Sequence, residues 1–294
     1  MAVTTIAAPR AERVPRQRLS LEASWGIILV LPYVVFFLVF VVWPVLYGVW
    51  LGSDPAAYRR LFADPIFTRT AFNTFVFLAV GINLKLFLAL LLSGFFARTT
   101  PWIRWLSVIF ILPWAVPSIP TLFSFRWMLN SEWGMINGLL WDLFTIEGPW
   151  WLVDPQLAFG SVIFVHVWKY LPFWTLILLA GRMAIPTDLY EAARIDGATP
   201  LQMFTNVTWP YLKNLYITST LLSTIWSLGD FNSVYLLTGG GPAELTHVLA
   251  TLGIRYAFNL HEIGVGVACV MVAVPLLVPL VVILVRRLGR GPDA

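Results

Sequence analysis

Apolar residues gather along this chain in six blocks of more than 20 positions, each holding two charges at most, and the polar residues fall in the intervals between them. About 20 apolar residues cross a bilayer as a helix, because in lipid each backbone N–H and C=O must find its partner within the segment. The blocks predict spanning helices over 25–51, 71–96, 105–125, 157–181, 212–237 and 263–285, an all-α membrane protein with about six transmembrane helices. Pro32, Pro44, Pro113, Pro117 and Pro275 lie inside these runs, so bends are expected there.

Composition removes the soluble alternative. The 294 residues are 59% hydrophobic and 12% charged, with a mean hydropathy of +0.80, whereas an ordinary soluble domain carries about twice that share of charge. Arg10, Arg13, Arg16 and Arg18 resemble a basic leader, but the uncharged stretch over 23–53 is about twice the usual leader core and shows no clear cleavage site. It reads as a retained helix. Residues 1–20 read as a mobile cytoplasmic tail and 21–290 as the transmembrane domain. The net charge of +4 does not point to nucleic acid, since the basic residues are scattered at loop ends without interleaved aromatics. Cys269 stands alone inside the last block, so no internal disulfide is possible and a packing role is expected.

Lysine and arginine set the orientation. The amino-terminal tail, the second and fourth intervals and the carboxy-terminal tail hold 12 of them, counting Lys213 at the edge of the fifth block, against 5 in the other three intervals. The positive-inside rule then puts both termini in the cytoplasm. The third interval, outside, carries Glu132, Asp142, Glu147 and Asp154, and its Trp133, Trp141, Trp150 and Trp151 suit the outer lipid interface.

The fourth interval reads IPTDLYEAARIDGATPLQMFTNVTWPYL from Ile185 and predicts two short helices joined by a turn. Asp188 is placed to cap the first, with Glu191 at its third position, and Gly197 to end it with a positive φ. Thr199, Pro200 and Gln202 open the second as N-cap, N1 and N3. Met203, Phe204, Val207 and Tyr211 fall at helical spacing, and Ala192, Ala193 and Ala198 are small enough to let the pair lie close against another protein. Physics alone leaves a plain amphipathic linker on the membrane surface equally open.

The string EAARIDGATPLQMFTNVTWP, over 191–210, resembles the EAA motif of binding-protein-dependent ABC importer permeases: Glu-Ala-Ala, three residues, Gly, nine residues, an aliphatic, one residue, then Leu-Pro. Here those places are Glu191, Ala192, Ala193, Gly197, Val207, Trp209 and Pro210, with Val207 for the usual Ile and Trp209 for the usual Leu. ILPWAVPSIP over 111–120, FRWMLNSEWGMIN over 125–137 and YLLTGGGPAELT over 235–246 are similar to the carbohydrate-uptake branch, in its MalF-like permease. The maltose-type prototype has extra amino-terminal helices and a large external domain without counterpart here, so the smaller six-helix members are the nearer match.

The resemblance implies a type I ABC importer transmembrane domain in a bacterial cytoplasmic (inner) membrane, passing a sugar or related polyol inward. It implies as partners a second, MalG-like permease, an ATPase dimer that holds ATP and Mg, and an extracytoplasmic sugar-binding protein. This chain itself is expected to hold no cofactor or metal and to catalyse no reaction. The interval over 186–211 becomes the ATPase-coupling loop, with Glu191, Ala192, Ala193, Asp196, Gly197, Phe204 and Pro210 as its working residues.

Lys85, Lys169 and Asp230 put charge inside the blocks. Such a group costs at least ~2.5 to 3.5 kcal/mol on insertion scales, so it normally faces a partner or a wet cavity. At ~1.5 Å per residue from the cytoplasmic ends, Lys169 and Asp230 come to compatible depth, as a structural ion pair or as lining of the pathway. Lys85 is expected to snorkel or to meet the second permease. His166, Lys169, Tyr170, Trp226, Asp230, Asn232 and Tyr235, with Trp168 beside them, offer the hydrogen-bonding groups and aromatic faces that hold sugars and form the candidate substrate pathway, although aromatics in spans more often only pack.

Other chemistry finds little support. There is no Walker-type phosphate loop, and Gly239, Gly240 and Gly241 lack the following helix and Lys-Ser/Thr of a phosphate cradle, so they read as a tight external turn. His166, His247 and His261 have no metal-ligand spacing. An ion-coupled secondary carrier or channel would use Lys169 and Asp230 but leave the loop over 186–211 without a purpose. An intramembrane enzyme lacks its Ser/His or His/Asp constellation at helical spacing.

Overall fold

The computed structural model describes residues 21–98 and 100–289; the tail over 1–20, expected to be mobile, lies outside the described residues. Every regular element among them is helical. In chain order these are α1 (Leu21–Phe37), α2 (Trp43–Leu51), α3 (Pro55–Phe62), α4 (Pro65–Phe96), α5 (Pro101–Ala115), α6 (Ser118–Met128), α7 (Met135–Phe144), α8 (Pro155–Met183), α9 (Thr187–Ile195), α10 (Pro200–Met203), α11 (Trp209–Leu228), α12 (Asn232–Leu237), α13 (Leu249–Ile254), α14 (Ile263–Met271) and α15 (Val274–Gly289). Wide π-helical turns over Leu38–Val42 and Phe204–Thr208 join α1 to α2 and α10 to α11, and a third over Arg255–Asn259 extends α13. The first two each precede a Trp-Pro step, Trp43-Pro44 and Trp209-Pro210, where proline has no N–H to return to the turn before it and a wider turn absorbs the gap.

Asp-Pro opens three of the helices. Asp54, Asp64 and Asp154 cap α3, α4 and α8 by accepting from the N–H groups of Ala56, Ile66 and Gln156 at 2.8, 2.8 and 2.9 Å, and the following proline costs no hydrogen bond at the first helical position.

The chain divides into two units after Trp50. The amino-terminal helical run, 27 residues over Trp25–Leu51, is apolar on every side and long enough to span. In the second unit α4 and α8 qualify outright, with 32 and 29 residues, while two further spans are bent pairs: α5 and α6 meet at 94°, α14 and α15 at 41°. The bends expected at Pro117 and Pro275 thus fall at real breaks, whereas Pro32 and Pro113 are carried inside α1 and α5. The fifth predicted span is not one helix. α11 is broken from α12 at 229–231, and Lys213, Asn214 and the hydroxyls of Ser219, Thr220, Ser223, Thr224 and Ser227 dilute its apolar average. By length and composition the described residues therefore hold three to five spans, with α11 the polar-seamed remainder.

α4 and α8 pack as the central pair, with Phe77, Ile82, Leu86 and Ala89 against Val162, Val165, Trp174 and Leu178. α4 buries one face at a spacing of four, through Asn73, Phe77, Gly81, Lys85, Ala89 and Ser93. A second core joins α3, the start of α4, α13 and α14 around Leu61, Phe67, Leu252, Tyr256 and Cys269, which packs there as expected. In it α13 and α14 touch at two glycines, because a Cβ on Gly266 would lie 2.5 Å from the carbonyl oxygen of Gly253.

Candidate substrate cavity and coupling loop

α9 starts at Thr187, one residue before the expected cap at Asp188. Pro186, with φ −56°, sets the entry to the helix, so Asp188 falls in the first turn and Glu191 is too far along to reach back to the start. Among the described residues no hydrogen bond to the Glu191 carboxylate is found, and the residue is exposed. The end of α9 follows expectation: Gly197 has φ +75°, its N–H donates to Arg194 O at 3.1 Å and that of Ala198 to Ala193 O at 2.9 Å, the bond pair of a Schellman stop. The second start also follows, as Thr199 N–H donates to Gln202 Oε1 at 2.7 Å and Gln202 N–H to Thr199 Oγ1 at 3.4 Å.

The second short helix does not stop. α10 passes through its wide turn straight into α11, so the loop is one short helix, a glycine turn and the foot of a long one. Tyr190 Oη and Thr208 Oγ1, 2.9 Å apart, tie α9 to that foot. Trp209 packs against Phe204 and Tyr216, with ring centroids 6.4 and 5.6 Å away, filling the place of the usual leucine. Ala192, Asp196, Gly197 and Pro210 are exposed, Ala193 and Phe204 half-buried. At the tip Ile195 and Leu201 are 86% and 71% exposed, two apolar side chains that none of the described residues covers.

Where α4, α8 and α11 converge they enclose a cavity of about 300 Å³, lined by Lys85, His166, Tyr170, Trp174, Ser223, Trp226, Ser227, Asp230, Phe231 and Asn232. His166 joins two of its walls. Its Nδ1 is 2.7 Å from Asp230 Oδ2 and its Nε2 is 3.0 Å from Lys85 Nζ. A carboxylate can only accept, so the ring hydrogen sits on Nδ1 and Nε2 accepts from the lysine. The result is a buried relay of ammonium, neutral imidazole and carboxylate. Ser233 adds two more donors to Asp230, Oγ at 2.5 Å and the backbone N–H at 3.1 Å, which ties Asp230 to the first turn of α12. The Tyr170 ring lies 5.6 Å from the lysine nitrogen, and Ser223 Oγ is buried without a hydrogen-bond partner among the described residues.

Five of the seven pathway candidates, His166, Tyr170, Trp226, Asp230 and Asn232, therefore meet at one cavity. Lys169 does not pair with Asp230. It points to the other side of α8, where Nζ donates to Pro113 O at 2.9 Å and to Val116 O. Tyr235 stacks on Phe231 at 4.5 Å and faces a separate small hollow beside Glu244, His247 and Arg255. Trp168 packs against Phe125. Lys85, expected to snorkel or to meet the second permease, is 1% exposed and is the cation of the site. The signal that finds it is the buried four-residue spacing from Asn73 to Ser93 along α4, matched by Ser219, Ser223 and Ser227 along α11.

The glycine run forms a turn, with φ +62° at Gly239 and +94° at Gly240. Gly240 lies flat on the His247 ring, where a Cβ would come within 2.1 Å of it. Asn73 Nδ2 holds the segment from below by donating to Leu245 O and His247 O at 2.7 and 3.1 Å. Among the described residues no three His, Cys, Asp or Glu side chains are grouped to hold a metal.

Residues 85–291 match the family model of the binding-protein-dependent transport system inner membrane component. The chain belongs to this family. The permease is 35% identical over 260 residues to the trehalose/maltose transport system permease protein MalF of Thermococcus litoralis, covering 84% of this chain and 88% of that one. It is 33% identical over 217 residues to the sulfoquinovosyl glycerol transport system permease protein SmoG of Agrobacterium fabrum, covering 73% and 70%. Its fold is that of a chain in the crystal structure of a bacterial alginate ABC transporter in complex with alginate pentasaccharide-bound periplasmic protein: TM-score 0.76 and 21% identity, over 91% of this chain and 94% of the other. The permease is thus a multi-pass inner-membrane component of an ABC importer and not an enzyme.

Proposed function

We propose that this permease is one of two pore-forming subunits that take a sugar or related polyol from an external binding protein and pass it through the cavity around Lys85, His166 and Asp230 to the cytoplasm. ATP and Mg belong on a separate ATPase dimer, and the second pore subunit is a MalG-like permease. One observation carries the reading: helical backbone runs without a break from Pro200 at the coupling turn to Leu228 at the cavity wall. A rigid element lets work done at a cytoplasmic surface reach a site inside the membrane, where a flexible linker would absorb it. Exposed Ile195 and Leu201, with Glu191 beside them, suit burial in a cleft of the ATPase. The relay and the walls of Tyr170, Trp174 and Trp226 suit a polyhydroxylated ring with one polar edge and one apolar face.

The test is ATP hydrolysis by the complex reconstituted with its binding protein and the sugar that protein carries. Gly197→Val places a β-branched residue at φ +75°, a cost of about 1 to 2 kcal/mol, in a spot where a Cβ meets no other group among the described residues. With Glu191→Lys, it is expected to leave an inserted, assembled protein whose sugar-stimulated hydrolysis and uptake are lost. Near-normal stimulation in both variants would make the loop a linker. Uptake that persists without ATP and collapses with an ionophore would favour an ion-coupled carrier instead.

A further inference from the structure

The segment Pro113-Trp-Ala-Val-Pro-Ser-Ile-Pro breaks a helix in a specific way. In an α-helix the carbonyl of residue i accepts from the N–H of residue i+4, and proline has none to give. The partner of Pro113 O would be Pro117 and that of Val116 O would be Pro120, so both carbonyls are orphaned by the sequence itself. At this point α5 ends, with Val116 at φ −71° and ψ 138°, and α6 leaves at 94°. Within lipid no water reaches such carbonyls, and each must be satisfied by protein.

One side chain of another helix satisfies both. Lys169 Nζ donates to Pro113 O and to Val116 O, and no carboxylate accepts from it among the described residues. A cation at a helix carboxy terminus is also favoured by the helix dipole. The next residue, Tyr170, lines the cavity. Consecutive residues of α8 therefore face the break and the cavity, and α6 in turn packs on α12, which begins at the cavity residue Asn232.

We propose that Lys169 is the positioning residue of this elbow: by supplying the two hydrogen bonds that Pro117 and Pro120 remove, it fixes α6 against α12 at the edge of the cavity and acts on transport through α6 without touching substrate. The role is independent of which solute is carried. The test compares Lys169→Met, Lys169→Arg and the double variant Lys169→Met with Pro117→Ala, which returns an N–H to Pro113 O. Three readouts are thermal melting of the purified complex, ATP-dependent uptake by proteoliposomes, and the distance between spin labels on Val108→Cys and Ser124→Cys, one on each side of the elbow. Cys269 is buried and gives little background.

Lys169→Met is expected to melt earlier, to lower uptake on the order of tenfold, the worth of one to two hydrogen bonds, and to broaden the label distance; Lys169→Arg restores all three in large part. The double variant is expected to recover melting but not uptake, with a longer label distance as the elbow straightens. Recovery of uptake along with melting would reduce Lys169 to a hydrogen-bond filler, and wild-type distance and uptake in Lys169→Met would also overturn the proposal. If Lys169→Met fails to insert, the arginine and double variants decide it. If the wild-type complex shows no ATP-dependent uptake, the importer reading falls, while melting and label distance still judge Lys169.

Discussion

Asp230 already accepts three hydrogen bonds, one from His166 and two from Ser233, whereas Lys85 gives one N–H to His166 and lines the cavity. Removing one member of a buried charged set strands the other at a cost of about 3 to 5 kcal/mol, while removing both is much milder. Asp230→Asn and Lys85→Met should each lower uptake and thermal stability, and the double variant should lose less than the two losses summed; strict additivity would show that His166 does not couple them. Lys169→Met, by contrast, should add to Asp230→Asn, since its partners are the elbow carbonyls. The sequence marked His166, Tyr170, Trp226, Asp230 and Asn232 because polar and aromatic residues cluster at one depth on two adjacent spans. Depth says nothing of rotation about the helix axis, however, and that is what sends Lys169 away from Asp230 and turns Lys85 inward.

Elements were legible where local chemistry decides them. The Thr199–Gln202 box and the Gly197 stop involve neighbours in sequence and stand as read. What could not be read was the fate of helices after proline: Pro113 is absorbed, Pro117 turns the chain by 94°, and Pro210 only widens a turn, according to what nearby helices supply to the freed carbonyls. The external turn adds a pH-sensitive element. Burial pushes the His247 imidazole below its ordinary value; Glu244 draws it back and Arg255 opposes that, leaving it lowered. A histidine held below its unfolded value of about 6.5 gives stability that is complete above that pH and declines as pH falls through the folded value. Acidifying the purified permease from about pH 7.5 to 5.5 should therefore lower its melting temperature. His247→Gln, which cannot titrate, should flatten the dependence; an equal slope in both proteins would place the acid sensitivity elsewhere.

At the scale of the whole molecule, charge and shape give independent readings of orientation. Lys and Arg crowd the ends where α4 and α8 finish and where α15 ends in Arg286 and Arg287, together with the coupling turn. The opposite ends carry the aspartate caps of α4 and α8 and the tryptophan-rich stretch around α7, where Trp133, Trp141 and Trp150 are exposed as interface residues are. The same division puts the exposed tip at Ile195 on the basic side and the glycine turn over His247, held by Asn73 near the start of α4, on the other. An importer needs that separation, because the solute must arrive on the face opposite the ATPase. Single cysteines at Glu147 and Asp196 test it directly, as both positions are exposed and the native Cys269 is buried. In right-side-out vesicles an impermeant maleimide should label Glu147→Cys at once and Asp196→Cys only after permeabilisation. The reverse pattern would invert the molecule, and since α10 and α11 form one rod, it would also carry the coupling turn to the face where no ATP is available and remove the physical basis for ATP-driven import.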